Sequence, residues 1–301
     1  MSSDAFSDLA DSLDEFCTAL RTVMNRHRLP LPGSPALKEA AGEPFAGEWG
    51  EQPSVQIFGS VYLTAWACAD HLAASASVLR AHRGVAATYT LLRGAVESAA
   101  IACYLTDASI DARERLRRSF NCHLVALREQ ISMVSPLRPP DAAVIAESAR
   151  NRVAAISREA GRQGFTVRKM DDRRPASLGE KLPGATDLVG MCAGGDQDFG
   201  RTSYRLLSAI AHGQLHGLSR FMLPGVPGPG TDAAAGPGAM NIDASTLAQE
   251  LLVAPLCAAA MARGLCWFAG WDAAGTGHAG FLMQQTWSRV CAAPYAGPRV
   301  R

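Results

Sequence analysis

Arg93 and Glu97 stand four residues apart in a segment, Gly84 to Thr106, that holds no other formal charge. On a helix that spacing puts guanidinium and carboxylate on one face, where they can pair. Surrounded by apolar residues, such a pair must satisfy its donors and acceptors locally. Two roles fit. Arg93 could clamp an anion or carboxylate while Glu97 serves as a general base tuned by its surroundings, or the pair could be an ion pair that locks helices together. Tyr89, Tyr104 and Asp107 fall near the same line. Asp70 and His71 belong to the preceding stretch, in which Asp70 is the single formal charge between Glu51 and Arg80. Adjacent helical residues point roughly 100° apart, so one of these two is expected to face the Arg93 and Glu97 side.

A second group begins at Arg201, in RTSYRLLSAIAHGQLHGLSRFML. On one continuous helix Arg201, Arg205, Ser208, His212, His216 and Ser219 fall within about 80° of one another. Leu206, Leu207, Ile210, Leu215, Leu218 and Phe221 take the remaining directions. The stripe contains no Glu, Asp or Lys. It reads either as a solvated face or as a row of groups that bind anions and move protons. His212 and His216, an i,i+4 pair, could also hold a divalent metal, with Glu97, Asp70 or His71 completing the shell. The sequence HGQLH lacks the Glu of an HExxH site, and there is no ExxH pair of the di-iron type. No cofactor is predicted; a divalent ion at His212 and His216 is the alternative.

Other templates fail. The glycines at 225, 228 and 230 alternate with prolines and precede no Lys-Ser/Thr, no GxSxG elbow occurs, and no strand-turn-helix context supports a dinucleotide site. The basic run RERLRRSF at 113 to 120 could meet phosphate or form a solvated face. With 29 basic and 28 acidic side chains the chain has no overall pull toward nucleic acid or acidic membranes. The charge is nevertheless uneven: residues 1 to 70 carry 4 basic and 10 acidic groups, residues 113 to 174 carry 14 and 7. Eight cysteines without a Cys-x-x-Cys pair read as reduced, small core residues of a cytoplasmic protein. The acidic amphipathic N-terminus has neither part of a signal peptide. The apolar stretch from Leu251 to Trp271 includes Pro255, Arg263 and two glycines, so a buried helix is expected there rather than a membrane span.

The elements that must position these residues are helices. Segments of helical periodicity run from about 4 to 27, 56 to 82, 85 to 106, 110 to 134, 140 to 163, 200 to 222, 244 to 271 and 278 to 292. Asp111 and Asp243 suit N-capping or first-turn positions, and Gly84 should separate an antiparallel hairpin. Three stretches read as irregular: 29 to 53, 164 to 200, with a short helix possible near 177 to 182, and the Pro/Gly-rich 223 to 239.

Arg205-LLSAIA-His212 has six residues between the Arg and the His, and this resembles the Arg-x(4 to 6)-His motif of the HEPN superfamily of small all-helical bundles. The resemblance covers residues 56 to 222 in helical pattern. It implies a metal-independent ribonuclease site, completed across a dimer in that family, with His212 as acid/base and Arg205 as phosphate stabiliser.

These readings converge on an all-α fold: one domain over residues 1–301, a single bundle of about eight helices with its core over about 56–292, and a polar pocket inside it. The expected function is binding or non-redox acid/base conversion of a small organic molecule, the enzyme classes being lyase, isomerase, cyclase or hydrolase. Glu97 and His212 would transfer protons, Arg93 and Arg205 would hold an anionic or carbonyl group, and Ser208 and Tyr104 would orient it, with Asp70, His71 and His216 nearby. Expected partners are the small molecule and a second copy of the chain, with no membrane. Nucleic acid enters only through the alternative of a HEPN-like ribonuclease or RNA-binding module, and a non-catalytic interaction protein is the third reading.

Overall fold

The computed structural model describes residues 4–41, 53–81, 84–136, 140–169, 176–194, 197–219 and 242–293. Among these the fold is all-α. In chain order the elements are α1 (Asp4–His27), α2 (Pro35–Ala41), α3 (Pro53–Arg80), α4 (Val85–Leu105), α5 (Ala112–Val134), α6 (Pro140–Arg162), the two-residue strands β1 (Val167–Arg168) and β2 (Ser177–Leu178), α7 (Ala185–Ala193), α8 (Gln197–Ala211), α9 (Leu215–Leu218), α10 (Ala244–Leu251), α11 (Val253–Ala269) and α12 (Ala274–Cys291).

The charge-poor helices α3 and α4 form the central hairpin, turned at Gly84, whose φ of 69° is one that a Cβ disfavours. α1 covers α3, and α12 packs on α1 and α11. The α7/α8 hairpin and α11 cover α4, and one contiguous set of buried apolar residues runs from Leu9 to Val290. The Trp287 indole donates to the Ser12 hydroxyl at 3.2 Å, fixing α12 to α1. α5 and α6 pair as an outer hairpin with a small buried cluster of their own, Val134, Ala142 and Ala146.

Local chemistry explains the ends of the helices. Asp111 accepts from the Glu114 amide at 2.8 Å and Asp243 from the Thr246 amide at 3.0 Å, so both aspartates cap as their sequence positions suggest. The expected helix over 244 to 271 is instead two, α10 and α11, bent by 45°. Pro255, buried in the first turn of α11, has no N–H to offer the carbonyl four residues back, which breaks the ladder there. The expected helix over 200 to 222 also ends early. Gly213, at φ 65°, donates to Ile210 while Gln214 donates to Ala209, the paired bonds that close a helix on a left-handed glycine.

Two stretches read as irregular contain helices. α2 begins at Pro35 behind Ser34, whose hydroxyl accepts from the Leu37 amide at 3.3 Å. α7 lies within 164 to 200, and the helix considered near 177 to 182 is β2, paired antiparallel with β1. The buried Asn121 amide of α5 holds that ribbon, donating to the Leu178 carbonyl at 3.1 Å and accepting from the Leu178 amide at 2.7 Å. The Pro/Gly-rich stretch 223 to 239 lies outside the described residues, as do residues 42–52.

No single helix among the described residues is long and apolar enough to cross a membrane; α10 and α11 pass that test only as a bent pair. Most of α11 is buried against the rest of the fold.

Candidate functional site

The central feature is a polar seam along α4. Tyr89, Arg93 and Glu97 follow one another at intervals of four, and Tyr104 returns to the same line seven residues after Glu97. Three different helices meet them: α10 at Tyr89, α8 at Arg93 and Glu97, and α5 at Tyr104. Tyr89 donates to the Glu250 carboxylate of α10. Arg93 pairs with Glu97 at 2.8 Å, and Tyr204 of α8 donates to the same Glu97 oxygen at 2.5 Å. An Arg93 amino group reaches the Tyr204 oxygen at 3.5 Å, and its guanidinium lies 5.9 Å from the phenol ring centre.

Burial, and then the bond to Glu97, push the Tyr204 phenol above its ordinary value, so it remains a proton donor. Burial pulls Arg93 down, but its contacts with Tyr204 and Glu97 outweigh that and hold it above its usual value. The Nε of Arg93 is buried and makes no hydrogen bond among the described residues. Chemically the cluster is a carboxylate with a phenolic proton and a guanidinium on one oxygen. Such an arrangement can share a proton or bind a carbonyl. It also ties α8 to α4.

At the C-terminal end of the seam is a half-open pocket of about 300 Å³. Its walls come from Cys103, Tyr104 and Thr106 at the end of α4, Arg118 of α5, Leu188 and Cys192 of α7, and Gly264 of α11, with Asp107 at the loop beyond α4. Arg118 is the organising cation. Its guanidinium stacks 4.4 Å from the Tyr104 ring centre, donates to the Tyr104 carbonyl at 2.9 Å, and pairs with Asp107 at 3.2 Å and Glu114 at 2.9 Å. Its side chain is only 12% exposed.

Burial pushes the Asp107 carboxyl up, but the hydrogen bonds from Ser109 and the Arg118 charge outweigh it and leave it below its ordinary value. Asp107 is therefore ionised at neutral pH. The Tyr104 phenol is pushed up by burial, partly opposed by Arg118, so it keeps its proton. The pocket thus presents a cation, an anion, a phenol and the Thr106 hydroxyl against the apolar surfaces of Leu188, Met191 and Ala260. Gly264 leaves room for Thr106: a Cβ there would collide with the threonine hydroxyl, which donates to the Ala102 carbonyl.

Arg115 holds the loop that carries Asp107. It is 1% exposed, pairs with Glu39 of α2 at 3.1 Å, and donates to the carbonyls of Leu105, Asp107 and Ile110. Those carbonyls sit at or beyond the C-terminal end of α4, where no further turn supplies amides.

The structure brings together only part of the expected set. Arg93 and Glu97 meet, and Tyr104 belongs to the neighbouring pocket. Asp70 turns the other way: its side chain is 78% exposed and pairs with Arg21 of α1 at 3.4 Å. His71 faces α4, packed on Gly94, where an added Cβ would come within 2.7 Å of its Nε2. Ser208, half-buried, continues the Tyr204 line of α8, whereas Arg205 is exposed.

His212 is exposed at the end of α8, about 12 Å along the axis from Tyr204. The proton-transfer pair expected from Glu97 and His212 is therefore not assembled. The left-handed Gly213 separates α8 from α9, so His216 and Ser219 no longer continue one helical stripe with His212. No group of three or more His, Cys, Asp or Glu side chains suited to a metal occurs among the described residues.

Tyr204, Arg118 and Asp107 join these sites although residue type and spacing alone give them no role. Tyr204 was legible as a polar residue four before Ser208, but it sits between the charged stripe and the apolar face. Arg118 was visible only as one of several arginines in a basic run. Comparison with models of protein families, with curated proteins and with solved structures finds no match for this chain.

Proposed function

We propose that the chain binds a small polar organic molecule in the pocket between α4, α5, α7 and α11. The observation that carries this is the combination of about 300 Å³ of half-open space with Arg118, Asp107 and Tyr104 on one wall and apolar side chains on the other. A carboxylate or carbonyl on the ligand is matched by Arg118 and the Tyr104 phenol, and a hydroxyl or amine by Asp107. The apolar part lies against Leu188, Met191 and Ala260. The Glu97 and Tyr204 pair, about 10 Å back along α4 from Tyr104, contributes proton transfer only to a ligand long enough to span that interval. Binding rather than catalysis is the function that the geometry supports best.

The test is a screen of small carboxylic acids and carbonyl compounds by ligand-observed NMR and thermal shift. Leu188→Trp fills the pocket and Arg118→Met removes its cation. Ligands should bind the natural protein and lose affinity at least tenfold in both variants. Binding that survives Leu188→Trp, or a screen without a single ligand sensitive to either variant, refutes the proposal.

A second reading rests on one observation: Arg205 and His212 are both exposed, seven residues apart and so on one face near the end of α8. That placement suits a polymeric substrate such as RNA better than a pocket ligand, and agrees with the resemblance to HEPN proteins. It requires cleavage of RNA in the presence of a chelator and loss of that cleavage in His212→Ala. Intact RNA across a varied panel removes it.

A further inference from the structure

Cys103 and Cys192 come from helices of different hairpins, α4 and α7, and meet in the wall of the pocket with their Sγ atoms 2.7 Å apart. A disulfide bond is about 2.05 Å long, so bonding these sulfurs needs a shift of well under 1 Å. All eight cysteines are free thiols in the structure. Cys103 is only partly buried and lines the half-open pocket, which gives a small oxidant a path to it, whereas Cys192 is buried behind it. The other buried thiols, Cys17, Cys68, Cys257 and Cys266, do not line the pocket.

We infer that Cys103 and Cys192 are a reversible redox pair, closing to a disulfide under peroxide-class oxidants and stapling α7 to α4 at the pocket wall. In the first step the Cys103 sulfur attacks a peroxide oxygen, the O–O bond breaks, and a sulfenic acid and one water form. The Cys192 sulfur then attacks the Cys103 sulfur, the S–O bond breaks and a second water leaves with the remaining thiol proton. Two thiols are oxidised and one hydrogen peroxide is reduced to two waters. A dithiol reductant reverses the process.

The hydrogen bond between the two sulfurs, and then burial, push the Cys103 thiol well up; the same bond lowers Cys192, but its contact with Cys257 and burial leave it well up too. Reaction therefore proceeds slowly, through the small thiolate fraction, and the pair answers sustained oxidant rather than a brief pulse. Bonded, α7 can no longer move away from α4, and the wall that carries Leu188 and Met191 is fixed. The inference stands on the packing of α4 and α7 and does not depend on which molecule fills the pocket.

The full-length folded protein is treated with hydrogen peroxide, its remaining thiols are alkylated after denaturation, and peptides are mapped with and without dithiothreitol. The expected product is one crosslinked peptide pair joining Cys103 to Cys192, absent after reduction. The bond closes a loop with a sequence separation of 89, and Tm should rise by about 5 °C or more, reversibly. Cys103→Ser and Cys192→Ser should each abolish crosslink and shift, while Cys291→Ser changes neither. Should either serine variant fail to fold, the peptide map of the natural protein decides by itself. Cys103 and Cys192 still alkylated after Cys291 has been oxidised, or crosslinked instead to Cys68 or Cys257, overturns the inference.

Discussion

Replacing Arg115 by Met tests how the fold holds the pocket. Methionine keeps most of the apolar stem but removes a guanidinium that bonds Glu39 and the carbonyls of Leu105, Asp107 and Ile110, and that lies 5.0 Å from the Phe268 ring centre. Glu39 is itself only 15% exposed, so its carboxylate loses a guanidinium where water substitutes poorly. Breaking one side of a buried pair costs about 3–5 kcal/mol. The three carbonyls add to this only in so far as water fails to reach them, so we expect a loss of about 4 kcal/mol. For a chain of this size that lowers Tm by roughly 6 °C.

Urea unfolding followed by circular dichroism measures the loss directly. Adding Glu39→Met to Arg115→Met should restore about 2 kcal/mol, because a half-open ion pair at a carboxylate only 15% exposed accounts for a large part of the cost while the carbonyls keep theirs. A single-variant loss under about 1 kcal/mol, or a double variant no more stable than Arg115→Met, would refute the reasoning that this guanidinium clamps the end of α4.

Tyr204→Phe should destabilise by about 1–2 kcal/mol, the low end for a hydrogen bond to a charged group because Glu97 is partly exposed; a double-mutant cycle with Glu97→Gln in urea should give a coupling near 1 kcal/mol, and none if the contact is incidental. Gly200→Ala should cost about 1–3 kcal/mol despite alanine's better helix propensity, since its Cβ would lie 2.9 Å from the Gly190 Cα and 3.0 Å from the Val189 carbonyl of α7; a stabilised variant by calorimetry would show that α7 and α8 separate freely. Hydrogen bonding by Arg117, offset in part by burial, holds the Glu114 carboxyl below its ordinary value near 4.5. A lowered folded value means stability present above that pH and lost as pH falls through the folded value. The Tm gap between the natural protein and Glu114→Gln should therefore be constant near neutral pH and shrink below about pH 4.5; a gap that grows in acid would reverse the sign of the argument.

The helices were legible because their signals are local. Asp111 and Asp243 cap within three residues of themselves, and two runs nearly free of charge identify the central hairpin without reference to anything else in the chain. Where the expectations went astray, a single residue outvoted the period. Pro255 removed one amide and split an apolar run into α10 and α11, and Gly213 offered a left-handed exit that ended α8 before His216. α2 carried its own signal in Ser34 and Pro35, but seven residues give too few turns for periodicity to register.

The candidate site was legible only by halves, since a helical period tells which residues share a face and not which neighbour covers it. The sequence alone determined that the chain is helical, that α3 and α4 lie inside, and that Arg93 and Glu97 share one side of α4. Packing decided that Tyr204 completes that pair, that Arg118 rather than Arg205 meets Tyr104, that Cys103 lies against Cys192, and that His212 faces water. Those contacts join residues 14 to 107 positions apart, and the free energy that selects among them comes from burying whole faces against one another rather than from any local spacing.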